Sequence, residues 1–197
     1  MRELVKSFLR LLAFVAVLPL LVSYLCWALA LGRDRALEGS SQTLALFPGL
    51  IGVYLRRAFL MRVLDRCHHT VTVEFGTLFS QTGARLDENV YVGPRCHLGL
   101  VHICRDALLG PAVHVPSGAR THGTDDPTRP IREQDHKRSC VTIGAGAWIG
   151  TAAVVMADVG EGTVVGAGAV VTKPLPARVV AAGVPAKVVR QRDADKP

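Results

Sequence analysis

The chain of 197 residues carries 23 Lys and Arg against 16 Asp and Glu, which gives a formal net charge of +7. This length suits one domain with an appendage, and the basic balance favours an anionic partner or surface. No motif that interleaves aromatic and basic residues occurs, so we expect no binding to nucleic acid.

Residues 11–31 form an uninterrupted run of 21 uncharged residues near the N-terminus. At a helical rise of about 1.5 Å per residue, this run is long enough to cross the hydrocarbon core of a bilayer. Tyr24 and Trp27 lie towards its end, where aromatic rings favour the membrane interface. Pro19, in the middle of the run, is expected to kink or break the helix.

A second apolar stretch, residues 44–55, is too short to span a bilayer and runs into Arg56 and Arg57. It is typical of an interfacial or re-entrant helix that continues amphipathically to residue 63. Residues 1–66 carry nine Lys and Arg against four acidic residues, which favours a membrane surface. The sequence therefore predicts a membrane-anchoring helical region over residues 1–68.

A cleaved signal peptide is the alternative for the first apolar run. Lys6 and Arg10 precede the run, and its end resembles a cleavage site. The run is long for such a signal, so we favour a retained anchor. Basic residues flank both apolar stretches, so their distribution predicts no orientation. The five cysteines form no CxxC pair, which indicates reduced thiols and a cytoplasmic location for the remainder of the chain.

From about residue 86 to residue 175 the chain repeats a six-residue unit, an aliphatic residue followed by a small turn former. The aliphatic positions are Leu86, Val92, Leu98, Ile103, Leu109, Val115, Ile143, Ile149, Val159, Val165 and Val171. Glycine follows in seven of these eleven units. Each unit is one short strand plus a turn, and three units make a coil of about 18 residues. Since one coil cannot bury its apolar face alone, the period predicts an all-β domain of stacked coils, a parallel β-helix over residues 69–197.

The repeat is interrupted at residues 120–140 by the polar segment RTHGTDDPTRPIREQDHKRSC. A stacked β-helix has no structural need for such an insertion, and long loops in compact repeats tend to carry function. His122 lies near the start of this loop, and Asp125, Asp126 and Glu133 are close enough in sequence to orient an imidazole. The interruption is therefore the predicted site.

Four short motifs give the chain a resemblance to a known family. They are a Thr-His pair that opens the loop, Trp-Ile-Gly after it, Val-Thr-Lys-Pro, and Gly-Val-Pro-Ala-Lys near the end. Over residues 70–192 the chain resembles the hexapeptide-repeat acyltransferases with a left-handed β-helix, close to the membrane-associated and polysaccharide-type O-acetyltransferases. The resemblance implies a homotrimer, acetyl-CoA as cosubstrate, no metal, and a sugar, polysaccharide or glycolipid hydroxyl as acceptor. The chain lacks the Asn-rich segment that precedes the loop in sugar acetyltransferases.

The resemblance also implies roles for individual residues. The family's catalytic histidine matches His122. The positions that match the family's acetyl-CoA site are Trp148, Gly166, Ala167, Lys173, Gly183 and Lys187. Of these, the two lysines are expected to meet the phosphates of CoA, and the tryptophan and small residues line its pantetheine arm.

The chemistry of acyl transfer is consistent with these roles. A base must take the proton of the acceptor hydroxyl, and hydrogen-bond donors must meet the developing oxyanion. His122 is a candidate for this role, because histidine is the side chain that most often serves as such a base. No Ser-His or Cys-His nucleophile pairing is evident, so we expect direct attack on the thioester.

Two other functions remain open from the sequence. The γ-type carbonic anhydrases share the β-helix and a similar tail, and His97, His102, His114 and His122 offer imidazoles for a catalytic zinc. A convincing set of three ligands is missing, however. A non-catalytic, membrane-tethered scaffold is the other alternative, and it would not be stabilised by acetyl-CoA.

Overall fold

Three helices precede a stack of short strands in the computed structural model, which describes residues 2–135 and 137–192, with side chains from residue 7 onward. Position 136 of the predicted loop and residues 193–197 of the predicted β-helix domain lie outside the described residues. The helices are α1 (Arg2–Leu31), α2 (Arg33–Ala45) and α3 (Gly49–Val63). Pro19 lies inside α1 without breaking it. Helix α2 was not predicted, and the predicted interfacial helix begins at Gly49 rather than at residue 44.

Sixteen short strands follow the helices in the described part of the chain. They are β1 (Arg66–Cys67), β2 (Thr72–Val73), β3 (Leu78–Phe79), β4 (Arg85–Leu86), β5 (Tyr91–Val92), β6 (His97–Leu98), β7 (Val101–Ile103), β8 (Leu108–Leu109), β9 (His114–Val115), β10 (Val141–Ile143), β11 (Trp148–Ile149), β12 (Val154–Val155), β13 (Val164–Val165), β14 (Val170–Val171), β15 (Val179–Ala182) and β16 (Lys187–Gln191).

The strands form three faces of one solenoid. Sheet A has the order β1-β4-β7-β10, sheet B has the order β16-β15-β13-β11-β8-β5-β2, and sheet C has the order β14-β12-β9-β6-β3. Every pairing is parallel except that of β15 with β16. The chain visits the faces in turn, so residues one coil apart stack in register, as Ile149 does between Leu109 and Val165. The predicted left-handed parallel β-helix is confirmed.

The predicted aliphatic positions form the core of the solenoid. Leu98, Ile103, Leu109, Ile143 and Ile149 are each fully buried, and each such side chain contributes about 1.5–3 kcal/mol by leaving water. The small residues two positions before an aliphatic residue, among them Ala107, Ala147, Ala153 and Ala169, are also buried.

The glycine after the aliphatic residue is required by close approach of the next coil. A Cβ added to Gly144 would lie 2.5 Å from the nitrogen of Glu161, and one added to Gly150 would lie 2.5 Å from the nitrogen of Ala167. Backbone therefore occupies the space that a side chain would need, and the glycine allows consecutive coils to stack.

The β-helix begins at β1, about 20 residues before the first unit of the repeat that is recognisable in the sequence. Cys67, Val73 and Phe79 occupy inward positions in the first coil, but none of them is followed by glycine. Val155 is also a regular inward residue, paired with Val171. The repeat shortens after it, because Val159 follows only four positions later instead of six.

Helices α2 and α3 cover the open end of the first coil, with α2 against β3 and α3 against β1 and β2. Asp34 accepts hydrogen bonds of 2.8 Å from both the backbone N–H and the hydroxyl of Thr82. The hydroxyl of Ser41 accepts a bond of 2.8 Å from the N–H of Phe79. These bonds satisfy strand groups at the end of the solenoid, which a further coil would otherwise pair.

Helix α1 lies on α2 and α3 through one stripe of its surface. Ala13, Val17 and Tyr24 are buried along this stripe, and the ring of Tyr24 meets Phe59 edge-on at 5.8 Å. The remainder of α1 exposes apolar side chains. By length and composition α1 is able to cross a membrane, yet only 17% of its most apolar window is buried.

Candidate active site

The interruption of the repeat leaves the solenoid at the corner between sheets C and A, which we call the C–A corner. Ser117 and Gly118 adopt positive φ of 70° and 92° and turn the chain outward. The N–H of Ser139 donates to the carbonyl of Ser117 at 2.9 Å, so the two ends of the loop are tied together. The Ser117 hydroxyl accepts a 2.7 Å bond from the N–H of Leu100. The loop is thereby anchored to a rigid coil.

Gln134 holds the interior of the loop. It is buried, and its amide nitrogen donates to the carbonyls of Asp126 at 2.8 Å and Arg129 at 3.0 Å. Its amide oxygen accepts a bond of 3.1 Å from the N–H of Asp126. One side chain therefore closes the segment of residues 126–134, which has little regular structure of its own.

His122 lines a cavity of about 680 Å³ within this loop, together with Asp125, Asp126 and Lys137. The imidazole is exposed to solvent. Hydrogen bonds from Thr128 lower the pKa of Asp126, so this carboxyl is ionised at neutral pH. The cavity combines an accessible base with charged groups of both signs, an arrangement suited to a polar substrate.

Trp148 lies on a different face, at the start of β11 in sheet B. Its ring points outward and is 52% exposed. In register above it are Leu108 and Tyr91, both exposed in part. These three side chains form an apolar ladder on the outside of sheet B, and we refer to them as the sheet B ladder.

The small residues of the predicted cofactor site meet at the corner between sheets B and C. A Cβ on Gly166 would lie 3.0 Å from that of Ala182, and Ala167 follows it at the exposed turn. Gly183 has φ of 98°, and its carbonyl accepts a bond of 3.0 Å from the N–H of Val170. Lys187 pairs with Ala182 in the antiparallel strand β16.

Lys173 lies apart from this group, directly after β14 at the C–A corner. The looped insertion leaves the same corner after β9, and β12 lies between the two strands. At about 4.8 Å between neighbouring strands, Lys173 is thus roughly 10 Å below the root of the loop. Within one chain the predicted residues therefore fall into two groups, one at the C–A corner and one on sheet B with its adjoining corner.

The histidines that suggested zinc do not meet on one face. His97 and His114 stack at 6.3 Å in sheet C, whereas His102 lies on sheet A. The ring of His102 is 2.9 Å from Asp87, and Cys104 is near. Arg66, 3.1 Å from the same carboxylate, already balances its charge. Within one chain, therefore, the described histidines do not form a cluster of three.

The sequence did not identify the residues that shape the loop. Gln134 and Ser117 carry no motif, because their partners are carbonyls and N–H groups fixed only by the folded chain. The Ser-Gly pair at the root of the loop offered the only local signal, since this dipeptide is common in turns.

Comparison with known proteins places the chain among acetyltransferases. Galactoside O-acetyltransferase of Escherichia coli (strain K12) is 30% identical over 170 residues, 75% of this chain and 84% of that protein. WbbJ of the same strain, named for lipopolysaccharide biosynthesis O-acetyl transfer, is 29% identical over 72% of this chain and 83% of its own length. No protein-family model matches the chain.

Solved structures share the fold at lower identity. A maltose O-acetyltransferase from Clostridium difficile 630 has a TM-score of 0.69 and 20% identity, and the alignment covers 81% of this chain and 88% of that one. A galactoside acetyltransferase in complex with coenzyme A has a TM-score of 0.64 and 23% identity, covering 81% and 82%.

The solenoid with its looped cavity and these relatives define the class as an acyltransferase built on hexapeptide repeats. More particularly, the chain belongs to the hexapeptide-repeat O-acetyltransferase family and uses acetyl-CoA.

Proposed function

We propose that this enzyme transfers the acetyl group of acetyl-CoA to a hydroxyl of a sugar in a polysaccharide or glycolipid precursor, with His122 as general base. The observation that carries the proposal is the cavity within the tied loop, which holds an exposed imidazole at the interruption of an otherwise regular solenoid. The sugar acceptor is supported by the relatives, whose names specify galactoside and lipopolysaccharide O-acetyl transfer.

The reaction proceeds by direct attack. His122 accepts the proton of the acceptor hydroxyl while the hydroxyl oxygen bonds to the thioester carbonyl carbon. The tetrahedral intermediate collapses with cleavage of the C–S bond, and the imidazolium gives the proton to the departing CoA sulfur. Backbone N–H groups are the proposed donors to the oxyanion. The products are the O-acetyl ester and CoA.

The binding of acetyl-CoA is proposed to involve two copies of the chain. The predicted contacts on sheet B and its corner are separated within one chain from His122 and Lys173. In a homotrimer, sheet B of one copy would face the C–A corner of the next, so that both groups meet in one groove. The exposed sheet B ladder supports this assembly, because monomers seldom leave such apolar faces uncovered.

The proposed location is the cytoplasmic face of a membrane. Helix α1 exposes apolar side chains over most of its length, as a lipid-contacting helix does. It also packs on Phe59 and thereby completes the helical layer over the solenoid. This packing supports a retained segment over a cleaved signal peptide. A tethered enzyme and a lipid-linked acceptor would meet in two dimensions.

The replacement of His122 by alanine tests the base. His122→Ala is expected to lower kcat by at least about a hundredfold, the usual contribution of a general base, while thermal stabilisation by acetyl-CoA is unchanged. His69→Ala, an exposed histidine on the first coil, is the matched control. Transfer is measured as CoA release with a galactoside acceptor. Retention of most activity in His122→Ala would show that another group is the base.

A further inference from the structure

A groove between α1 and α2 has the dimensions of an alkyl-chain site. It encloses about 330 Å³, and Leu20, Trp27 and Leu31 of α1 form one wall. The opposite wall is contributed by Ala36 and Gly39 of α2. A Cβ on Gly39 would meet nothing within 4 Å, so the groove is open at the centre of this wall.

An arginine-lined cleft continues this groove at the α1–α2 junction. It encloses about 380 Å³ and contains Arg33, Arg35 and Arg138, and it shares Leu31 and Arg35 with the groove. We refer to it as the arginine cleft. Its third arginine comes from the returning arm of the catalytic loop, although the other two lie about a hundred residues earlier in the sequence.

The arginine cleft has positive charge that is not fully balanced. Its three arginines outnumber its two carboxylates, of which Asp34 is held in place by the N–H and hydroxyl of Thr82. Glu38 is 3.6 Å from Arg35, whose side chain stays 74% exposed. Within the described residues Arg138 makes no hydrogen bond or ion pair. An uncommitted guanidinium beside a second, largely exposed one is the arrangement that phosphate oxygens favour.

The catalytic cavity lies on the other side of the same arm of the loop. Lys137 lines the cavity that holds His122, and Arg138, the next residue, lines the arginine cleft. A ligand with its alkyl chain beside Trp27 and its phosphate at Arg138 would therefore carry the group beyond the phosphate towards His122.

We propose that the groove and the arginine cleft together bind a lipid-linked phosphate, the carrier of the sugar that this enzyme acetylates. The alkyl chain lies between α1 and α2, the phosphate is held by Arg35 and Arg138, and the attached sugar reaches the loop cavity. This inference rests on the proposed transfer to a sugar hydroxyl and specifies the form in which the acceptor is presented.

Binding is measured with the full-length protein in detergent. The chain has two tryptophans, so Trp148→Phe leaves Trp27, in the groove wall, as the single reporter. The probe is a bromoalkyl phosphate monoester, whose bromine quenches indole fluorescence on contact. A neutral bromoalkyl glucoside of equal chain length reports binding by the chain alone, and inorganic phosphate added as competitor reports binding by the head group alone.

The expected result is saturable quenching by the phosphate probe, with a Kd raised about tenfold or more in Arg35→Gln/Arg138→Gln. The matched control Arg105→Gln/Arg132→Gln, which removes two exposed arginines elsewhere, leaves the Kd unchanged. Equal quenching by the glucoside, or no effect of the first pair, overturns the phosphate site. Full displacement of the probe by inorganic phosphate at equal concentration overturns the role of the groove.

The same variants separate this inference from the proposed activity. Arg35→Gln/Arg138→Gln should raise KM for a lipid-linked sugar while leaving transfer to a soluble galactoside unchanged. An equal loss with both acceptors would contradict the assignment of the cleft to the lipid-linked form. The result for His122→Ala tests the transfer mechanism alone, because probe binding needs no catalysis.

Discussion

Arg56 shows how one buried side chain joins the helical layer to the solenoid. Its guanidinium donates to the carbonyls of Val73 at 2.9 Å, Leu44 at 3.0 Å and Phe47 at 2.7 Å. The Leu44 carbonyl belongs to the last turn of α2, where it also accepts the N–H of Phe47 at 3.3 Å, and the Phe47 carbonyl follows the end of the helix. Burial lowers the pKa of Arg56 because it disfavours the charged form. The charge is tolerated because the three carbonyl dipoles point at it.

The replacement of Arg56 by methionine should therefore cost more than its lost packing. Three carbonyls would lose a charged donor, and we expect the free energy of unfolding to fall by about 3 kcal/mol. Urea denaturation followed by circular dichroism measures the change. Arg105→Met, at an exposed position, should alter stability by less than about 0.5 kcal/mol. Equal effects of the two substitutions would show that Arg56 does not hold the layers together.

At the residue scale the sequence predicted the core residues that recur with the repeat. It did not predict the side chains whose hydrogen-bond partners are distant in the sequence. Leu109 and Ile149 were assigned to the core because their period is regular. From the sequence, Arg56 is only a charge at the end of an apolar stretch, and Asp34 is only one of four acidic residues in residues 1–66. Their partners lie 9 to 48 residues away along the chain, and only the folded structure brings them together.

At the scale of the single coil, two glycines two positions apart have different reasons to be glycine. Gly144 lies against the backbone of the next coil, where an added Cβ would come within 2.8 Å of the Cα of Glu161. Gly146 has φ of 62° and open space around it. The equivalent corner position holds alanine at Ala112 and Ala152, each with positive φ.

Gly144→Ala is therefore expected to destabilise the solenoid far more than Gly146→Ala. The first substitution forces two coils apart and should cost more than about 3 kcal/mol, while the second imposes only the left-handed conformation on alanine, at about 1 kcal/mol. Thermal or urea unfolding of both variants provides the comparison. A larger cost for Gly146→Ala would mean that conformation rather than coil spacing selects these glycines.

Helices and strands with a regular sequence pattern were predicted, and those without one were missed. The strands from Leu86 onward follow from the period, and α1 follows from its apolar run. Helix α2 was missed because it is a short, polar helix whose buried face, Ala36, Leu37, Ser40 and Leu44, is partly made of small residues. The loop was predicted as the site, but its shape depends on Gln134, whose role no local pattern reveals.

At the scale of the whole molecule, the surface changes from apolar on α1 to polar on the inserted loop. Helix α1 forms the outermost layer, α2 and α3 cover the end of the solenoid, and the inserted loop meets the α1–α2 junction through Arg138. The exposed apolar side chains of α1 that line no groove with α2 or α3 fall within about 100° of its circumference, at about 100° per residue. Leu11, Val15, Leu18, Val22 and Leu25 are among them.

An exposed apolar arc opposite the packed stripe favours lipid as the surrounding medium, because a surface helix of a water-soluble domain carries polar and charged residues on that face. Leu18 and Val22 lie near the middle of the arc and are 41% and 60% exposed. Leu18→Glu/Val22→Glu should leave the fold intact and abolish flotation with vesicles of phosphatidylethanolamine and phosphatidylglycerol, since each charge costs about 3 kcal/mol in the hydrocarbon. Leu18→Met/Val22→Met, which keeps the arc apolar, should float like the parent. Transfer to a soluble galactoside should be equal in all three proteins, and flotation of the glutamate variant with the vesicles would refute α1 as the membrane-binding element.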